Sequence, residues 1–334
     1  MRFLPPAFAV HTSFAALAGR YDAFILDQFG VLHNGKDALP GAVDCVRYLA
    51  RERNLPLIIL SNTSSPARTT LARLPGLGFD PADFVGAVTS GEEAARLVAE
   101  RYGAAPGPAK EFVWFTWPLG HTNAPDPLRF LEDCGNVRPT LDVSRASFVV
   151  AHGSGCIRGA AVDGDGAEEP ATRSMGSFLD DGDLTAVDAV LRACRARELP
   201  LVCANPDRVV LYHAGGFKHM PGKIAARYEE LGGDVTWFGK PEASHFAACL
   251  RELGLDRTRV AHVGDSLHHD VAGARAAGID SVFVVGGIHG EELLGGAPGG
   301  GEGQGKALPD EAELEAFFRR EGCEPTHVVP MFRL

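Results

Sequence analysis

The chain has 334 residues, 45% apolar and 22% charged, which suits an ordinary globular protein long enough for two domains. Its net charge of -11, with no Lys/Arg cluster to set against it, argues against nucleic acid as a partner, and an anionic small substrate would need a local cation. No apolar run reaches the roughly 18 to 20 residues that cross a bilayer, and Arg2 ahead of a proline-broken apolar stretch makes no signal-peptide pattern. Seven scattered cysteines without a CxxC pair point to free thiols in the cytoplasm or another reducing, soluble compartment.

Along the chain, short apolar runs alternate with helical patterns, the mark of βα units on a largely parallel sheet. Strand Ala23–Leu26, helix Gly41–Arg53, strand Pro56–Leu60, helix Pro66–Leu74 and strand Ala87–Thr89 come first. Ser90 then reads as the N-cap of a helix over Gly91–Arg101. An aromatic strand Phe112–Trp117, a helix Pro127–Asp133 and a strand Ser147–Ala151 follow, and the Gly/Asp/Glu-rich run Gly153–Gly182 is expected to be mostly loop. Helix Leu184–Arg197 and strand Leu201–Ala204 complete residues 90–205, which read as an inserted α/β unit. Residues 1–89 and 206–334 are then the core domain, with helices Pro221–Leu231, Glu242–Leu253 and His268–Ala277, strands Arg259–Val263 and Ser281–Val285, a low-complexity Gly295–Gly305, helix Asp310–Arg320 and strand Thr326–Met331.

Four strand ends carry polar groups that could do chemistry. Phe24-Ile25-Leu26-Asp27 puts a carboxylate at the carboxyl end of a buried strand just before a glycine turn at Gly30, the edge where open α/β sheets bind ligands. Taken alone, Asp27 could equally be a turn or cap residue. Leu57-Ile58-Ile59-Leu60-Ser61-Asn62 ends in a hydroxyl and an amide able to hold anionic oxygens, or merely to cap a helix. Trp237-Phe238-Gly239-Lys240-Pro241 places an ammonium between an aromatic strand and a helix start. Val260-Ala261-His262-Val263-Gly264-Asp265 ends in a second carboxylate, with Asp270 five residues on, and such hard oxygens suit Mg²⁺. His268 and His269, neighbours on a helix, point apart and read as surface or capping residues.

In this order the four segments resemble the haloacid dehalogenase superfamily of hydrolases. The insertion between the second and third segments resembles the type with a C2 cap, and Thr89-Ser90-Gly91-Glu92 and Ala204-Asn205-Pro206-Asp207 resemble the class IIA branch of NagD-like, phosphoglycolate and pyridoxal phosphate phosphatases. The resemblance implies a three-layer, Rossmann-like α/β core with a parallel sheet and an α/β cap, the active site lying at the cleft between them. It implies a Mg²⁺-dependent phosphatase acting on a small phosphorylated metabolite through an aspartyl phosphate, with no nucleic-acid or membrane partner and with the cap available for pairing two copies. Asp27 would be the nucleophile; Ser61, Asn62 and Lys240 would hold the phosphoryl group. Asp27, the Phe29 backbone carbonyl and Asp265 would ligate Mg²⁺, supported by Asp270.

Phe29 departs from the pattern, because the phosphatases carry an aspartate there that protonates the leaving oxygen. General acid–base help contributes ~10² to 10⁴ in rate, so turnover is expected to be slow or restricted to good leaving groups such as aryl and acyl phosphates. Two alternatives remain: a dehalogenase-like hydrolase of carbon–halogen bonds, whose relatives also carry an aromatic here, and a binding or assembly protein of impaired turnover. Gly300–Lys306 outlines a phosphate loop but has Ala307 where Ser/Thr is required, and Gly153–Gly159 only approximates a dinucleotide fingerprint. Trp114, Phe115 and Trp117 read as cap core, and the cysteines as buried apolar side chains.

Overall fold

The computed structural model describes residues 8–104, 106–121, 124–160, 171–211, 216–295 and 308–334. They form two compact units: residues 1–61, 67–88 and 240–334, and residues 62–66 and 89–239. The chain therefore returns to the first unit at Lys240, 34 residues beyond the boundary expected at 206. The helix Pro221–Glu230 buries Ile224, Ala225 and Tyr228 in the second unit's core, and Val235–Trp237 extends that unit's sheet beside Leu201–Cys203.

The first unit is built on seven strands, ordered Ala9–Val10, His327–Val329, Asp280–Val284, Val260–Gly264, Ala23–Leu26, Leu57–Ser61 and Gly86–Thr89. The pairings from the first of these through Leu57–Ser61 are all parallel. Ala23–Leu26 is buried at every position because both faces of the sheet are covered. Phe24 and Leu26 join Ala42, Cys45 and Leu49 in one core, while Ala23 and Ile25 meet Ile58, Phe246, Cys249 and Val260 in another, as the strand period of two requires. Leu26 pairs with both Ile59 and Val263, so residue 27, Ser61 and Asp265 emerge from three adjacent strands at the same edge.

The second unit has its own sheet, ordered Val235–Trp237, Leu201–Cys203, Phe148–Ala151, Lys110–Thr116, Cys156–Arg158 and Thr172–Ser174, with Val137–Pro139 paired to Lys110–Thr116. Its last two strands, antiparallel, arise within the run expected to be mostly loop; residues 161–170 of that run lie outside the described residues. Trp114 packs with Phe112 and Phe148 on one face and Phe115 with Val149 and Ile157 on the other. Gly153–Gly159 leads into strand Cys156–Arg158 rather than a helix, so it lacks the strand–turn–helix context of a dinucleotide loop. Gly300–Lys306 lies outside the described residues. Thr89, not Ser90, caps the helix Ser90–Val98 by accepting from the Glu92 N–H; the Ser90 hydroxyl donates instead to the Thr63 and Ala204 carbonyls. All seven cysteines are buried and free, and no described helix is long and apolar enough to cross a membrane.

His152, fully buried in the second unit with Nδ1 2.9 Å from Thr116 Oγ1, is pushed down to about 3 by burial, against a smaller pull from the Ser64 backbone. The unfolded chain, whose histidines titrate near 6.5, takes up that proton first, so this contribution to stability is complete above about pH 6.5 and is lost as pH falls toward 3. Between pH 7 and pH 5, wild type is expected to lose about 2 kcal/mol more than His152→Leu in urea unfolding. Equal losses would show that His152 is not held neutral.

Candidate functional site

Asp27 is the first residue beyond strand Ala23–Leu26, and its N–H still pairs with the Val263 carbonyl at 2.9 Å. Its Oδ1 accepts from the Gln28 N–H at 2.7 Å and from Lys240 Nζ at 2.7 Å. Lys240, 2% exposed, also donates to Asp270 Oδ1 at 2.7 Å. Asp270 is fixed on every side: Oδ1 accepts in addition from His262 Nε2 at 2.7 Å, and Oδ2 from the Ser266 N–H at 3.0 Å. Since a carboxylate only accepts, His262 carries its proton on Nε2. Asp265 Oδ2 accepts from the Ile288 N–H at 2.7 Å.

Glycines make room for this packing. A Cβ at Gly30, where φ is +79°, would stand 1.8 Å from Asp265 Oδ2, and one at Gly287 would stand 2.2 Å from the Cβ and Oδ2 of the same aspartate. Gly287→Ala is expected to cost about 1 to 3 kcal/mol, because Asp265 and its bond to Ile288 must move. Gly76→Ala, with open space around the new methyl, is the control. Matching urea midpoints for the two variants would refute the close approach.

Three carboxylates face one ammonium in a buried setting. Burial pushes Asp27 up to about 7, with the Asp270 charge adding to it and Lys240 pulling the other way. Burial, then the charges of Asp27 and Asp270, raise Asp265 well above the carboxylate range. Burial opposes the charges on Asp270 and Lys240 too, but their mutual attraction, with His262 on Asp270 and Asp27 on Lys240, holds the first well below and the second well above its ordinary value. Burial lowers His262. Oxygens of Asp27, Asp265 and Asp270 lie within 4.8 Å of one another, an all-oxygen donor set that fits a hard divalent cation. Asp270 already accepts from three donors, so Asp27 and Asp265 have the spare capacity.

The other residues singled out in the sequence fall into place around this cluster or away from it. Ser61 is buried at the end of the strand next to Asp27's. Asn62 belongs to the second unit, where its Nδ2 donates to Asp207 Oδ1 at 2.8 Å. The Phe29 ring lies in its own loop, edge-on to His33 at 6.2 Å and against Gly35, and no backbone N–H of the described residues is bonded to the Phe29 carbonyl. His33 is not a substitute acid: burial pushes it down to about 4, and its Nδ1 accepts from the Gly35 N–H. His268 is exposed beside Glu321, and Ser266 caps the turn by accepting from the His269 N–H. Sequence reasoning passed over His262, although a histidine inside an apolar strand that ends in Gly-Asp was a usable signal. The Ile288 N–H left no trace in the side chains.

Residues 24–115 match the family described as haloacid dehalogenase-like hydrolase, and residues 237–308 one described as HAD-hydrolase-like. Two separate stretches of the chain are thus similar to haloacid dehalogenase-like hydrolases. Human (Homo sapiens) chronophin is 27% identical over 273 residues, covering 81% of this chain and 83% of its own. D-glycerol 3-phosphate phosphatase of Mycobacterium tuberculosis is 27% identical over 277 residues, 82% of this chain and 65% of its own. The crystal structure of a haloacid dehalogenase-like hydrolase from Brucella suis 1330 aligns over 96% of this chain and 99% of its own, at 24% identity and a TM-score of 0.67. The alignment with the Brucella structure shows the fold, in which the second unit is inserted in sequence between segments of the first.

Proposed function

We propose that this protein is a Mg²⁺-dependent phosphoric monoester hydrolase that acts on a small phosphorylated molecule and favours esters with good leaving groups. The observation that carries the reading is Lys240 Nζ at 2.7 Å from Asp27 Oδ1, beside the carboxylates of Asp265 and Asp270 at the strand ends. The phosphatase named among its relatives supports it.

In this reading an Asp27 oxygen attacks phosphorus, a bond to Asp27 forms, and the bond from phosphorus to the leaving oxygen breaks. Water then attacks the aspartyl phosphate, releasing phosphate and returning Asp27 to a carboxylate. Lys240 orients Asp27 and neutralises charge on the phosphoryl oxygens, with Ser61 as a further donor to them, and such positioning and charge neutralisation dominate phosphoryl transfer. Asp27, Asp265 and the Phe29 carbonyl would hold Mg²⁺, which supplies further neutralisation of the transferring group. The leaving oxygen departs without a proton from residue 29, so aryl and acyl phosphates suit the site better than alkyl ones.

A panel of alkyl, aryl and acyl phosphates, assayed with Mg²⁺ and with EDTA, tests the proposal. Phosphate release that needs the metal and is fastest on the aryl and acyl members is the expected result. Metal-independent halide release from 2-haloacids, without phosphate release, would overturn it.

A further inference from the structure

His262 stands in the middle of strand Val260–Gly264, opposite Ile25 of the strand that carries Asp27, and is wholly buried. Its strand neighbours Ala261 and Val263 are buried apolar residues, and its ring meets Phe246 edge-on at 5.0 Å. An apolar side chain would satisfy such a position, and an imidazole there loses its water, a cost that a strong hydrogen bond must offset. That bond runs from Nε2 to Asp270 Oδ1, the oxygen that also receives Lys240.

We propose that His262 is a positioning residue: its Nε2–H fixes the Asp270 carboxylate so that Asp270 anchors Lys240 against Asp27 instead of turning toward a bound cation. The geometry is a chain of three contacts, each 2.7 Å long, from His262 to Asp270, from Asp270 to Lys240 and from Lys240 to Asp27. Ser266 N–H holds the other Asp270 oxygen, so without His262 the Oδ1 end is held by the Lys240 ammonium in place of two donors. A shift of that end would carry Lys240 with it, and Asp27 would lose its alignment.

The consequence for turnover rests on the phosphatase reading; the positioning itself does not. With p-nitrophenyl phosphate and Mg²⁺, His262→Leu is expected to lower kcat by about ten- to a hundredfold, the scale of one hydrogen bond to a charged group, with a smaller change in KM. His262→Gln, whose amide nitrogen can take the place of Nε2, should recover kcat to within a few-fold of wild type. In ¹⁵N-labelled protein, the His262 Nε2–H resonance should move in Asp270→Asn and stay in place in Asp265→Asn. A His262→Leu enzyme with wild-type kcat, a Gln variant as impaired as the Leu variant, or a resonance indifferent to Asp270→Asn would overturn the proposal. Should His262→Leu not fold, the Gln variant and the resonance still decide. Wild-type protein that releases no phosphate yet shows the Asp270-dependent resonance would count against the phosphatase reading while supporting the positioning of Asp270.

Discussion

Asp27→Asn is expected to abolish phosphate release, a loss of about 10⁴-fold or more, because an amide of the same shape cannot form the aspartyl phosphate. The fold should not suffer. Asp27 is pushed up to about 7 by burial, with the Asp270 charge adding to this and Lys240 opposing it. A group whose folded value lies above its unfolded one contributes stability below the unfolded value, near 3.9, and loses it as pH rises through 7. Near pH 8 the metal-free wild type therefore carries a destabilising charge that the asparagine variant lacks, and the variant should melt at a higher temperature. Activity lost together with a lowered melting temperature would show that the substitution damaged the fold and would leave Asp27 without a demonstrated chemical role. Residual turnover near the wild-type rate would remove Asp27 as the nucleophile.

Phe29→Asp is expected to raise the rate on alkyl phosphates by ~10² to 10⁴, the range of general acid–base catalysis, and to change aryl and acyl phosphates far less. The selectivity follows from where the proton is needed: an alkoxide leaves slowly without one, whereas a phenolate or carboxylate leaves readily. The substitution removes the ring packed on Gly35 and His33, so some stability should be lost. The ratio of alkyl to aryl turnover, measured at saturating Mg²⁺, separates the two effects. An unchanged ratio would mean that proton delivery does not limit this site.

Much of the core was legible residue by residue. Ala23–Leu26 reads as a buried strand because four apolar residues run up to a charged one, and the strand has those bounds. Helix Pro127–Asp133 was equally legible, with Asp126 accepting from the Leu128 N–H ahead of a proline at the helix start. The end of the insertion was not. Helix Pro221–Glu230 shows an apolar stripe, and a stripe says only that one face is buried, not which of two sheets covers it. Thr89 and Ser90 are both good caps by composition, and the choice fell to the one whose backbone is extended. Strands Cys156–Arg158 and Thr172–Ser174 escaped because strands of three residues among glycines carry too little alternation to be seen.

The sequence by itself determined the βα alternation, the strand ends at Asp27, Ser61 and Asp265 and the aromatic at position 29, since these depend on local patterns of apolar and polar residues. Tertiary structure alone decided that Lys240 bridges Asp27 and Asp270, that His262 and the Ile288 N–H hold two of the carboxylates, and that Gly30 and Gly287 make room for Asp265. Apart from His262 and Asp270, eight residues apart, those contacts join residues distant in the chain, and the register of the parallel strands brings the strand ends to one edge.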